Sequence, residues 1–589
     1  MRLSALKVRG SGPFIITASR DPPALCLIMT STIDTESQPS FKRVYSDLDE
    51  PAANAPPLGG QYALSQILPI IGALCLALFL SAFELSAVST ALPTIVDSIP
   101  GYRAQDFIWL GSAYSLAATA FLPLSGALAQ VFGRRPVVLG SLALFTLGSA
   151  LCGAAKVEAH ILAGRAIQGV GGGGIHSMSY IVLADLVPLQ KQGKYNAFIG
   201  LTWSFASVLG PVLGGLLAQR GAWRWLFYLN IPACAIVAPL AIRYLNLKTP
   251  KESLLSNLRR LDFVGNLVVV GSTTACVLAL AWAGSSFSWH SVQVLAPLCL
   301  GLMGLIAFFA YEAVYAKHPM VPSLLWSNRT SISGYIQTFV LQVTLLCLIY
   351  YLPVYFQACK LASPVKSGLD LFGLALTIAP VSIVVGLSVA KFRCYRPQIW
   401  VGWSIMILSM GLLSTVKETS DIWLSIGYTI ILGAGIGTVY TTSVFPVLAP
   451  LPVSANAQAL SLVMFLRLFG QVWGITIGGV ILQNGLADLP AEVVAVLPPG
   501  GDIAYGSIAV LPVMPLVLQA EVRSLFASSL STLWQVMAGL SGIGLLSSLM
   551  MKAVPMHTYT DEKWGVAEDE QSCIETTPFV IRNSQKNDL

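Results

Sequence analysis

Arg165, Gln168, Gly169 and Gly172 recur at i, i+3, i+4 and i+7 within Glu158 to Leu183, an apolar stretch of membrane-helix length. That spacing puts a permanent charge, an amide and two glycines on one helical face. An arginine at the centre of a spanning helix costs about 2.5–3.5 kcal/mol on insertion scales, so such a group is by default the partner of an ion or substrate pathway. The charge asks for an acid, and Glu84, in Phe83-Glu84-Leu85-Ser86, is the one placed well inside a span. With the first span running outward and the fourth inward, Glu84 lies eight residues before Leu92 and Arg165 seven after Glu158. At 1.5 Å per residue both sit about 10–12 Å below the same boundary. A buried carboxylate facing an arginine is placed to take up and release a proton as its surroundings change. We read Glu84 as the carrier of a coupling proton and Arg165 as the group that tunes it; the bland alternative is a fixed structural pair.

Other residues around this pair carry weaker signals. Gly169, Gly171 and Gly174 satisfy G-x-G-x-x-G, but no strand precedes them and the run lies in an apolar span, so close helix packing explains them better than dinucleotide binding. Gly210, Pro211, Gly214 and Gly215 fall within two turns of the next span and favour a bend there. Gly126, Gln130, Gly133, Arg134 and Arg135 mark a tight basic turn after the second span. Tyr350, Tyr351, Tyr355, Phe356 and Gln357 form either a cavity wall suited to apolar ligands or an interfacial aromatic belt. Arg467 is a second inward charge that either holds packing or contacts an anionic substrate; Gln168 and Trp203 complete the candidate cavity residues.

The elements that must position these groups are membrane helices. Only 11% of residues are charged, 55% are hydrophobic and the mean hydropathy is +0.71, which reads as an all-α polytopic membrane protein. A core about 30 Å thick needs about 20 apolar residues. Scanning for that length gives fourteen spans, near 67–92, 107–129, 137–155, 158–183, 195–218, 226–246, 263–284, 292–315, 332–358, 367–390, 398–415, 421–448, 457–484 and 527–551. Arg134, Arg135, Lys191, Lys251, Arg259, Arg260 and Lys391 all fall on one side, which places that side and both termini in the cytoplasm. The sequon Asn328-Arg329-Thr330 then faces inward and stays unmodified. The net charge of +6 is spread over short loops, which argues against nucleic acid. The ten cysteines are scattered singly and the histidines isolated, so neither a metal nor a cofactor is expected. No nucleophile–base constellation marks an enzyme. Residues 1–62 and 552–589 read as disordered cytoplasmic tails, with Met29 as a second possible start, and 487–525 as a long outer loop.

The loop after span two, the Arg165-x-x-Gln168-Gly169 run and Gly210-Pro211 resemble, in order and spacing, the loop, span-four and antiporter motifs of the major facilitator superfamily. Ala184-Asp185-Leu186-Val187-Pro188, Trp223 to Pro232, Leu261-Asp262-Phe263-Val264-Gly265 and Tyr350 to Gln357 extend the likeness over about 65–550, toward its fourteen-span drug:proton antiporter branch of fungal toxin exporters. The resemblance implies two six-helix bundles, 63–246 and 329–551, with two inserted helices in 247–328, a midplane cavity between the bundles and function as a monomer. It implies proton-coupled efflux of drugs, toxins or a secondary metabolite at the plasma membrane, with the vacuolar membrane as the alternative. An importer of siderophores or nutrients, and a membrane sensor, are the competing readings. The chain departs from the loop motif at Gln130 and Val131, where an acid and a basic residue are usual, which implies a weakened cytoplasmic latch.

Overall fold

The computed structural model describes residues 64–99, 107–245, 262–283, 287–317, 319–490 and 510–559, with 492–493 and 507–508 as short pieces between the last two. Among the described residues are fourteen helices of 15 residues or more. They are α1 (Leu64–Ser98), α2 (Phe107–Phe132), α3 (Arg134–Gly153), α4 (Glu158–Leu186), α5 (Leu189–Gln219), α6 (Asn230–Tyr244) and α7 (Phe263–Trp282). Then come α8 (Val292–Val314), α9 (Arg329–Lys360), α10 (Phe372–Phe392), α11 (Arg396–Ser414), α12 (Ile422–Thr442), α13 (Asn456–Gly485) and α14 (Leu516–Leu549). Twelve segments among the described residues are long and apolar enough to cross a membrane; α4 and α5 are not among them, and α4 carries Arg165, Gln168 and His176 in its middle.

The helices pack by a pattern that occurs twice. α5 lies on α1, α2 and α3 lie on α4, and α6 lies on α1 and α3; eight helices later α13 lies on α9, α10 and α11 lie on α12, and α14 lies on α9 and α11. The two halves meet reciprocally, α2 against α13 and α10 against α5. Helices α7 and α8 pair with each other, and α7 rests on α2 and α13 along one side of that seam.

Several boundaries differ from the sequence expectation, each for a local reason. α14 starts at Leu516 rather than near 527, where Arg523 donates from Nε and Nη2 to the Cys359 carbonyl at 3.0 and 2.8 Å and so ties the charged early turns of the helix to the end of α9. α5 starts at Leu189 rather than near 195, where Gln192 donates to the Val187 carbonyl at 2.8 Å. The connection between α13 and α14 is correspondingly shorter than the expected 487–525. Residues 1–62 and 560–589 lie outside the described residues, but 551–559 are packed rather than loose: Met556 is buried, the His557 ring meets the Leu451 carbonyl at 2.8 Å, and Lys552 N–H donates to Thr330 Oγ1 at 3.0 Å.

Candidate functional site

Glu84 on α1 and Arg165 on α4 are both 0% exposed, and Arg165 Nη1 lies 3.1 Å from Glu84 Oε1. The second carboxylate oxygen accepts from Asn230 Nδ2 at 2.7 Å, at the first turn of α6. Arg165 Nε donates to the Leu110 carbonyl of α2 at 2.9 Å, and Nη1 also donates to Gln168 Oε1 at 2.8 Å. Gln168 passes the network on to Ser149 Oγ of α3 at 2.8 Å. The Tyr114 ring covers the guanidinium at 4.7 Å, and its hydroxyl lies 2.7 Å from Ser81 Oγ. Five helices thus converge on one ion pair that water does not reach. Arg165 Nη2 and Asn230 Oδ1 have no hydrogen-bond partner.

Small residues make this convergence possible. A Cβ on Gly169 would run into the Tyr114 carbonyl and Ala117 of α2, and one on Gly171 into Ser141 and Phe145 of α3, so the glycine run lets α4 touch two neighbours through their backbones. Gly148 gives α3 the same close approach to Gln168. Gly210 lies against Ser86 and Ala87 of α1, one turn from Glu84, while Gly214 is buried and nothing lies within 4 Å of where a Gly215 side chain would start. α5 runs unbroken through Pro211.

At the helix ends around Gly133, whose φ of 89° suits glycine, the chain reverses from α2 into α3. Arg134 then donates Nε to Asp185 Oδ2 at 2.7 Å and Nη1 to the Ala129 carbonyl at 2.8 Å, with side-chain exposures of 1% and 4% for the pair. Asp185 supplies an acid from α4, so the turn is clasped although Gln130 is not one. Gln130 and Arg135 are half-buried beside it.

The second basic centre joins the halves. Arg467 of α13 donates Nη1 to Tyr180 OH of α4 at 3.1 Å and Nη2 to the Tyr440 carbonyl of α12 at 3.3 Å, and the two phenol oxygens are 3.2 Å apart. Trp203 of α5 meets His176, one turn before Tyr180, edge to face at 4.9 Å. Gln471 donates to Gln342 Oε1 at 3.3 Å. Two further links between the halves, Ser461 Oγ to the Leu122 carbonyl at 3.4 Å and Gln190 Nε2 to the Met556 carbonyl at 3.1 Å, lie with the Arg467 contacts on the Gly133 side of the molecule. Gly126 and Gly193 allow the same closure, since a Cβ on either would collide with Ser461 or with the Gly386 backbone. That side is shut.

The aromatic cluster of α9 is placed differently. Tyr351 donates to the Ile475 carbonyl at 2.7 Å, Tyr355 OH lies 3.1 Å from Ser425 Oγ, Gln357 donates to Ser367 at 2.9 Å and Phe356 is fully buried. These partners all belong to the C-terminal half. Tyr350 is 41% exposed. Asn328 uses its side chain to cap α9, accepting from Thr330 N–H at 2.8 Å.

The sequence reading missed Asn230, Ser149, Tyr180 and Tyr440. Asn230 stands in the Trp223 to Pro232 stretch already singled out, and a polar residue opening a short apolar helix was its signal; the tyrosines gave none, because only folding brings α4 beside α12 and α13.

Known proteins share both the sequence and the architecture. Residues 74–475 match the family model described as Major Facilitator Superfamily. The chain is 36% identical over 550 residues to the MFS-type efflux pump LUC4 of Fusarium sp, covering 91% of this chain and 96% of that one. It is 35% identical over 511 residues to the efflux pump FUS6 of Gibberella fujikuroi, covering 85% and 92%. Among solved structures, the proton:xylose symporter XylE superimposes with a TM-score of 0.55 at 14% identity, over 85% of this chain and 98% of that one, a likeness of fold.

Proposed function

The chain belongs to the major facilitator superfamily, and from that premise we propose that it exports small hydrophobic or amphipathic organic molecules in exchange for protons, by alternating access. The observation that carries this reading is the Glu84 carboxylate, buried among five helices and held by Arg165 and Asn230. A carboxylate there is costly unless it is paired or protonated, so protonation and helix arrangement are linked. Loss of the arginine contact is compensated by a proton, and a proton released is compensated by restoring the contact. Export agrees with the names of the curated relatives, and with the Gly210-Pro211 segment packed one turn from the acid.

The finer assignments follow from the same premise. α4 and α5 cross the membrane with the other twelve spans, which puts the chain in the fourteen-span branch with α7 and α8 as the inserted pair between bundles 63–246 and 329–551. The Gly133 side is cytoplasmic, both termini lie there, and the membrane is the plasma membrane. The state described is closed to the cytoplasm. Glu84 and Arg165 couple the proton with Gln168 buried behind them, the Arg134–Asp185 clasp and the glycines at 126 and 193 serve the cytoplasmic gate, and Trp203 and Arg467 face the transport pathway.

The test is flux in proteoliposomes holding the full chain, with labelled hydrophobic toxins and an imposed pH gradient. Gradient-driven movement in the wild type that disappears in Glu84→Gln, in a variant with wild-type thermal stability, supports the reading. Full gradient-driven flux in Glu84→Gln would rule out the coupling role.

A further inference from the structure

Three arginines are buried in the helix bundle among the described residues, Arg134, Arg165 and Arg467. Two of them meet carboxylates, Asp185 and Glu84. Arg467 meets none. The residue is 4% exposed and its guanidinium lies over the rings of Tyr440 and Tyr180 at 4.4 and 5.2 Å; its hydrogen bonds go to a phenol and a peptide carbonyl, and Nε has no acceptor. Every partner is neutral. Cation–π contacts offset only part of the cost of removing a guanidinium from water, and a buried ion is normally retained with its counter-ion.

We propose that Arg467 is the recognition group for an anionic cargo: the exported molecule is an amphipathic aromatic acid, a carboxylate or acidic phenol, whose charge completes the ion pair the chain leaves open. The proposal rests on the transport reading above. The guanidinium fork has the planar geometry that a carboxylate takes up through two parallel hydrogen bonds, and its unused Nε–H supplies one of them. The ring system of such a cargo has matching surface nearby, since Trp203 and His176 are half-buried and His176 stands one turn from Tyr180 on the same helix. Arg467 also bonds across the seam between the halves, from α13 to α4. An anion that draws the guanidinium away from Tyr180 therefore loosens a contact that keeps the cytoplasmic side shut, so binding and opening share one residue. Expelling an anion while admitting a proton moves positive charge inward twice, and the membrane potential drives both movements.

The test uses the full-length protein in lipid nanodiscs and a panel of hydrophobic aromatic carboxylic acids, each matched with its neutral methyl ester, at a pH where the acids are ionised. Binding is read by tryptophan fluorescence and by thermal shift. The wild type is expected to prefer acid over ester by roughly tenfold or more, Arg467→Gln to bring that ratio near one, and Arg467→Lys, which keeps the charge without the fork, to retain part of it. Melting curves establish that each variant is folded, and Arg467→Lys carries the test where Arg467→Gln is not. No acid preference in the wild type for any pair, or the same preference in a folded Arg467 variant, overturns the proposal. Failure of the transport reading gives a separate signature: the acid preference persists in nanodiscs while no compound moves in proteoliposomes under a pH gradient.

Discussion

Two side chains hold the Glu84 carboxylate, Arg165 and Asn230, and they are not equivalent. Arg165 reaches a peptide carbonyl, an amide and an acid with one planar group, which an ammonium cannot do. Arg165→Met strands Glu84 in an apolar interior and is expected to lower stability by about 3–5 kcal/mol, read as a fall in melting temperature; adding Glu84→Gln should recover part of that loss, because the stranded charge is then gone. A double variant no more stable than Arg165→Met would show that the arginine acts through packing alone. Asn230→Leu removes the donor to Glu84 Oε2 and should shift the pH dependence of flux while leaving the arginine pair in place. Unaltered pH dependence would make Asn230 a packing residue. Much of this was legible at the start: Arg165 and Glu84 announce themselves by charge in apolar sequence, and their depths match by counting residues. Asn230 and Ser149 did not, since an uncharged polar residue in a span is common and only the fold shows which of them meet.

The helices explain why certain small residues are indispensable, and one lies away from the transport centre. Asp262 caps α7 by accepting from Gly265 N–H at 2.9 Å, and a Cβ on Gly265 would strike both the Asp262 carboxylate and the Glu312 carboxylate of α8. Gly265→Ala is therefore expected to destabilise the α7–α8 pair by about 1–3 kcal/mol, the range for overpacking a filled site, and Asp262→Ala by about 0.5–2 kcal/mol through loss of the cap. Thermal unfolding in detergent measures both; a Gly265→Ala protein as stable as wild type would mean that α7 and α8 can part at no cost. At this scale the sequence was most informative, since span length and apolar composition locate twelve of the fourteen long helices, α4 and α5 being the more polar two. It was least informative at helix ends such as Leu516, where Arg523 finds carbonyl partners that belong to α9 and to the turn before α12.

The two halves repeat one packing pattern and meet through reciprocal helices, so closure on one side is a relation between the halves. Gly126 and Gly193 set how near those halves come. Gly126→Val and Gly193→Val should each hold the Gly133 side apart, raising the labelling of a cysteine placed at Leu122 by a membrane-impermeant maleimide added from that side by roughly tenfold, a modest population shift. Unchanged labelling in both would place the closing surface elsewhere. None of this seam could be read from the chain, because contacts such as Ser461 with Leu122 join residues more than half the sequence apart. The strand of chain after α14 has a consequence of its own. Residues 551–559 reach from the C-terminal half to Gln190, with Met551 and Met556 turned inward. An antibody fragment selected to require the buried Met556 side chain would be excluded while the transporter is shut and would bind once that segment leaves Gln190, giving a conformational reporter that needs no label and no knowledge of the cargo.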